Sequence, residues 1–180
     1  MDLFAENGYE ETTVAQIADR AGLNRATFFR HFADKREVLF GGEDVLAELF
    51  AEGVRAAAQD ATLTECLQAA LAAAGSLMTP RQRAKAAQRV LVVAASTEVR
   101  ERGLLKRARI ATSINAALRE RGTDELTARL GTEVVMLAFT IALERWLGSD
   151  QQPFAVHAEA ALDDLRSRVA ELDSRSTLPA

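Results

Sequence analysis

Wherever this chain repeats its apolar residues it does so every three or four positions, and nowhere do Val, Ile, Thr and the aromatics alternate over the length of a strand. That periodicity restricts the chain to helices. With 10 Gly and 3 Pro among 180 residues, turn signals are few, and the abundant Ala favours helix. A hydrophobic content of 48% supplies a buried core, and 27% charged residues sets the chain apart from disordered sequences. The expected fold class is all-α.

Punctuation cuts the chain into segments. A first short helix ends at Asn7-Gly8, where glycine admits the left-handed backbone that closes a helix. Thr13-Val14-Ala15-Gln16 has capping-box spacing and opens a helix with Val14, Ile17, Ala18 and Ala21 on one face, stopped at Gly22. Asn24 is a suitable N-cap for a third helix, in which Phe28 and Phe32 lie four apart and point inward. Asp34-Lys35-Arg36-Glu37 starts a long helix expected to reach about Ala58. Beyond residue 60 the helices are longer and richer in Ala. They are expected from about Asp60 to Gly75, from Thr79-Pro80 to Ser96, from Glu98 to Arg121, from Thr123 to Gly148, and from Pro153 to Leu172.

The pair of short helices around Ala21-Gly22-Leu23-Asn24 has the proportions of a helix-turn-helix. Such a unit works if its second helix packs by one face and offers polar side chains to the major groove by the other. Phe28 and Phe32 supply the packing face. Arg25, Ala26, Thr27 and Arg30 lie off it: arginine suits guanine, threonine suits a base edge or a thymine methyl, and a small alanine permits close approach. Thr13 and Lys35, at two helix starts, are candidate phosphate clamps, and His31 is a further donor. The net charge of −4 argues against an indiscriminate polyanion binder, yet residues 24–36 carry four bases and one acid, Asp34. Spacing alone leaves a second reading open, in which the helix pair is plain packing and Arg25 and Arg30 a solvated face.

The residues Leu3-Phe4, Gly8-Tyr9, Thr12-Thr13-Val14, Ile17-Ala18, Ala21-Gly22-Leu23, Ala26-Thr27, Phe29, His31-Phe32 and Lys35 together resemble the N-terminal domain of the TetR family of regulators. The resemblance covers about residues 3–50 and holds many spacings at once. It implies a homodimer that binds a pseudo-palindromic operator in double-stranded DNA and is released, as a repressor, by a small molecule. Thr13, Asn24, Arg25, Ala26, Thr27, Phe29, Arg30, His31 and Lys35 are the expected DNA-binding set. Two departures stand out. The family commonly carries Tyr where Phe29 stands, and the chain lacks the opening turns of the family's first helix, so a start upstream of Met1 is expected.

The resulting division is a DNA-binding domain over 1–50 and a helical ligand-binding and dimerisation domain over 51–175. Dimerisation is expected through the helices around 124–147 and 153–172, as a four-helix interface. An apolar or amphipathic effector is expected in a pocket walled by Leu67, Leu71, Met78, Leu91, Val92, Leu105, Ile110 and Ile114, with Trp146 as a further lining or core residue. The run Arg81, Arg83, Lys85, Arg89 contains no acid; it suits DNA steering or an anionic head group, or else the exposed face of an amphipathic helix. No zinc-binding cluster, phosphate loop or nucleophile motif occurs, so neither cofactor, metal nor catalysis is expected. One cysteine, Cys66, and no apolar run of roughly 20 residues point to a cytoplasmic protein without a membrane span. The rival readings are a helical enzyme, which would need a polar constellation in the C-terminal body, and a protein-binding bundle.

Overall fold

The computed structural model describes residues 2–40, 43–148 and 152–173, and these form ten α-helices and no strand. They are α1 (Asp2–Asn7), α2 (Val14–Arg20), α3 (Arg25–His31), α4 (Lys35–Phe40), α5 (Glu43–Ala56), α6 (Leu63–Gly75), α7 (Pro80–Ala95), α8 (Thr97–Glu120), α9 (Glu125–Gly148) and α10 (Phe154–Asp173). Beyond residue 60 the helix limits follow the expected punctuation. The single long helix expected from 34 to 58 is instead described as α4 and α5, and the pair Gly41-Gly42 between them lies outside the described residues.

Two compact units form, and the expected boundary at residue 50 does not coincide with theirs. The first unit joins Met1–Val45 to Arg81–Arg109; the second joins Leu46–Pro80 to Ile110–Ala180. The reason lies in the length of the N-terminal helices. α1 to α4 have six or seven residues each, too short to persist in water without tertiary packing. Phe4 of α1, Tyr9 of the loop after it and Leu39 and Phe40 of α4 make a core together with Val92 of α7 and Val99 of α8, with Ile17, Val38 and Val93 packed against it. Val92, expected as a pocket wall, therefore belongs to this core.

Polar contacts lock the same unit. The Lys35 ammonium donates to the carbonyls of Tyr9 (2.8 Å) and Glu10 (3.1 Å) and lies 4.2 Å from the centre of the Tyr9 ring, tying the start of α4 to the loop before α2. Thr12 is fully buried, with its hydroxyl 2.6 Å from the Gly8 carbonyl and 3.1 Å from that of Leu3. Lys106 of α8 is only 3% exposed; it donates to the carbonyl of Phe40, the last residue of α4, at 3.0 Å and lies 3.6 Å from the Glu37 carboxylate. Arg102 donates to the same carboxylate, from Nε at 3.1 Å. A buried ammonium is tolerated because both a carboxylate and a helix C-terminus face it.

The second unit is built around α9, which packs against α10 and α6. By length and hydropathy α9 is apolar enough to cross a bilayer, the one such helix among the described residues, but its Thr132, Val135, Met136, Phe139 and Trp146 are buried within the unit. Phe50, Phe139, Phe154 and Trp146 form a chain of ring contacts with centroids 5.2 to 6.2 Å apart. Trp146 is therefore core. Cys66 is buried among α6 apolar residues, where it packs as a small hydrophobe. Where α5 crosses α6, Gly53 removes the side chain altogether. A Cβ there would lie 2.5 Å from the Ala69 carbonyl oxygen and 2.7 Å from the Ala70 Cα, both backbone atoms.

Two outcomes follow from this packing. Gly53→Ala is expected to destabilise the protein by about 1–3 kcal/mol in urea unfolding, because backbone cannot yield as a flexible side chain does; Gly148→Ala, which meets nothing within 4 Å, serves as the neutral control. The pH profile has two edges. The Arg102 hydrogen bond, aided by Lys106, holds Glu37 below the usual 4.5, so the unfolded chain takes up the proton first and this stabilisation is lost as pH falls below 4.5 through the folded value. Burial, reinforced by Glu98, pushes Tyr9 from 10.0 up to about 12, so the unfolded chain ionises first and stability falls as pH rises between those values. Thermal melts should show the acid edge weakened in Glu37→Gln and the alkaline edge weakened in Tyr9→Phe.

Candidate nucleic-acid interface

The geometry of α2 and α3 follows from three local devices. At the start of α2 the Thr13 hydroxyl accepts from the Gln16 amide (3.2 Å) while the Gln16 side chain accepts from the Thr13 amide (2.8 Å), a complete capping box. At its end Gly22 adopts φ +67°, the Gly22 amide donates to Asp19 (2.9 Å) and the Leu23 amide to Ala18 (2.8 Å). This is the Schellman arrangement, which a residue with a Cβ enters only under strain. The chain then turns directly into α3, whose first turn is capped by Asn24, its side-chain oxygen accepting from the Thr27 amide at 2.8 Å.

α3 is fixed in rotation by its aromatic side. Phe28 is 1% exposed and its ring centre lies 5.3 Å from that of half-buried Phe32. Arg25, Ala26, Phe29 and Arg30 are all exposed beside this aromatic side, and His31 is exposed towards the end of the helix. The expected reading residues Arg25, Ala26 and Arg30 thus share one outward face. Phe29 joins them in its centre, half exposed at 50%.

The remaining expected contacts are placed differently. Thr27 is half-buried on the flank of that face. Asn24 and Thr13 have their side chains engaged as caps. Lys35 is half-buried and uses two of its three donors on the loop carbonyls of Tyr9 and Glu10, so it is a structural tie before it is a phosphate clamp. Thr12, Tyr9 and Lys106 are structural residues that fall outside the expected site. The adjacent Thr12-Thr13 pair was the available signal, since two consecutive threonines cannot both serve one cap. Lys106 gave no local signal, because its partners Phe40 and Glu37 lie more than sixty residues away.

Charge is concentrated in the same compact unit. Segment 81–109, which packs with the short helices, carries nine Arg and Lys residues against two Glu. Ion pairs to the N-terminal helices account for some of these: Arg102 and Lys106 meet Glu37.

The expected pocket walls divide between the two compact units. Leu91 (70%) and Leu105 (60%) are exposed and, with Val92, belong to the first unit; Leu67, Leu71, Ile110, Ile114 and Trp146 are buried in the second, and Met78 is half-buried there. Helical spacing identified the apolar positions but not which core each would join. A cavity of about 340 Å³ does open between α6 and α10, lined by Leu71, Leu162 and four alanines with Gln68 and Glu159 at its polar margin. Leu71 is the one expected wall that lines it.

Comparison with known proteins agrees with this geometry. Residues 1–40 match the family of bacterial regulatory proteins of the tetR type. The HTH-type transcriptional regulator TcmR of Streptomyces glaucescens is 46% identical over 50 residues, a stretch covering 28% of this chain and 22% of TcmR. A transcriptional regulator of the TerR/AcrR family from Aquifex aeolicus superposes with a TM-score of 0.58 at 19% identity over 93% of both chains. The TetR family regulator PfmR from Thermus thermophilus gives 0.51 at 23% identity, covering 90% of this chain and 91% of its own. At these identities the two structures share a fold with this chain. The match to the tetR type thus falls on the N-terminal helices, on the capped α2, the Gly22 turn and the aromatic-backed α3, and the whole chain shares its fold with the two solved regulators.

Proposed function

We propose that the protein is a transcriptional repressor that binds a pseudo-palindromic operator in duplex DNA as a homodimer and is released by a small apolar or amphipathic molecule. The observation that carries this reading is the outward face of α3, where two arginines flank small and apolar side chains on a helix whose other side is anchored by Phe28. A helix so presented fits the major groove, with Arg25 and Arg30 opposite guanine N7 and O6. Exposed His31 and the third donor of Lys35 supply the phosphate contacts that set register. The basic excess of 81–109 adds a favourable field for approach to DNA.

Support for a dimer comes from α9. Leu126 (78% exposed), Leu130 and Leu137 recur at spacings of four and seven on the side of α9 turned away from its own core. Such an apolar stripe is covered economically by a second copy of the same surface, with α10 alongside. Two reading helices related in this way match two half-sites. The effector would occupy the α6–α10 cavity, whose 340 Å³ lies at the small end of the range for ligand pockets. Release then requires a difference in effector affinity between the operator-bound and free conformations.

Fluorescence anisotropy with the intergenic duplex upstream of the chain's own coding sequence tests the reading. Binding should weaken with salt along a linear log–log slope, and Arg25→Ala should cost about 1–3 kcal/mol and relax sequence choice. Equal affinity of wild type and Arg25→Ala for that duplex and for an unrelated one would overturn the assignment. Leu130→Glu should shift sedimentation from dimer towards monomer and weaken operator binding without loss of helical content.

A further inference from the structure

We infer that Phe29 reads the 5-methyl group of a thymine, within a half-site whose neighbouring bases include the guanines taken by Arg25 and Arg30. The inference rests on the proposed DNA binding and adds to it the identity of a base. Its starting point is an aromatic ring half exposed between two arginines, with Ala26 beside it. The ring is held in place. Phe28, itself 1% exposed, meets Phe29 edge to face with centroids 5.4 Å apart and planes at 89°, so one side of the Phe29 ring is braced and the other presented. Phenylalanine has no donor or acceptor, so it takes neither phosphate oxygens nor the nitrogen and oxygen atoms of a base edge.

In the major groove the apolar feature that distinguishes one base pair from another is the thymine methyl. Ala26 precedes Phe29 by three residues, which makes the two neighbours on the helix surface, and its single methyl leaves the ring free to reach the groove floor. Arg25, four residues before Phe29, and Arg30, directly after it, place a guanidinium on either side of this apolar strip. A strip of this kind between two cations suits a thymine bordered by guanine and is poorly matched to cytosine, whose exposed feature there is a polar amino donor.

Thymine and deoxyuracil differ only by the methyl in question, which makes the test direct. A duplex is selected from a random-sequence pool with the full-length wild-type protein, and each thymine in turn is replaced by deoxyuracil. One thymine position in each half-site should then lose roughly fourfold in affinity, the worth of one buried methyl-sized group. In Phe29→Ala that loss should vanish at the same position while other positions respond as before, and Phe29→Leu should retain part of it; thermal melting confirms that the variants remain folded. Thymine-to-uracil sensitivity that persists in Phe29→Ala, or a wild type that binds its selected duplex with no sensitive thymine, overturns the inference and leaves DNA binding standing. Failure to select any duplex would overturn both.

Discussion

The N-terminal helices stand because α1, the Tyr9 loop and α4 share a core with two valines far downstream in the chain, with Ile17 of α2 packed against it. None of α1 to α4 has the length to be stable alone, and Phe4 of α1, Tyr9 of the following loop and Leu39 and Phe40 of α4 close over Val92 and Val99. α3 joins this assembly through α2, against which it packs. Lys35, Glu37 and Lys106 convert the hydrophobic contact into a fixed orientation, since each ties a helix end or a loop carbonyl to a particular charge. Charges in these positions are defensible because each ammonium has partners; without Glu37 and the Phe40 carbonyl, Lys106 would be an uncompensated buried cation.

Division of labour follows from the same chemistry. The first unit gathers the basic segment 81–109 and the exposed face of α3, whereas the second buries its aromatic chain and the Gly53 crossing and exposes apolar leucines along α9. The basic surface and the apolar stripe thus lie on different units, and under the proposed function the first would meet DNA and the second another copy of the chain. Residues of α8 belong to both units, its first half to the basic one and its second to the apolar one.

Local signals carried well from sequence to structure. Thr13 with Gln16, Gly22, Asn24 and Thr79-Pro80 each act within one helical turn, so their chemistry is complete in a few residues and the helices start and stop where that chemistry requires. The outward placement of Arg25, Ala26 and Arg30 was legible for the same reason: Phe28 and Phe32 fix the rotation of the helix that carries them. Long-range assignments carried less well. Val92 and Ile114 both look like apolar helical positions, yet one joins the N-terminal core and the other the C-terminal one, and nothing in their neighbourhoods announces which. Lys35 illustrates a third case, in which a cation at a helix start reads as a free clamp until the loop that folds back onto it supplies two carbonyls.

Whether α3 lies in the major groove is tested most directly by methylation interference. Guanine N7 is exposed in that groove and adenine N3 in the minor one, and a methyl on either blocks only a protein that occupies the corresponding side. For a duplex bound by the wild-type protein, interference should fall on guanine N7 at two clusters separated by about 10 base pairs or a multiple of it. Interference confined to adenine N3, or spread evenly without clusters, would contradict a helix docked by Arg25 and Arg30.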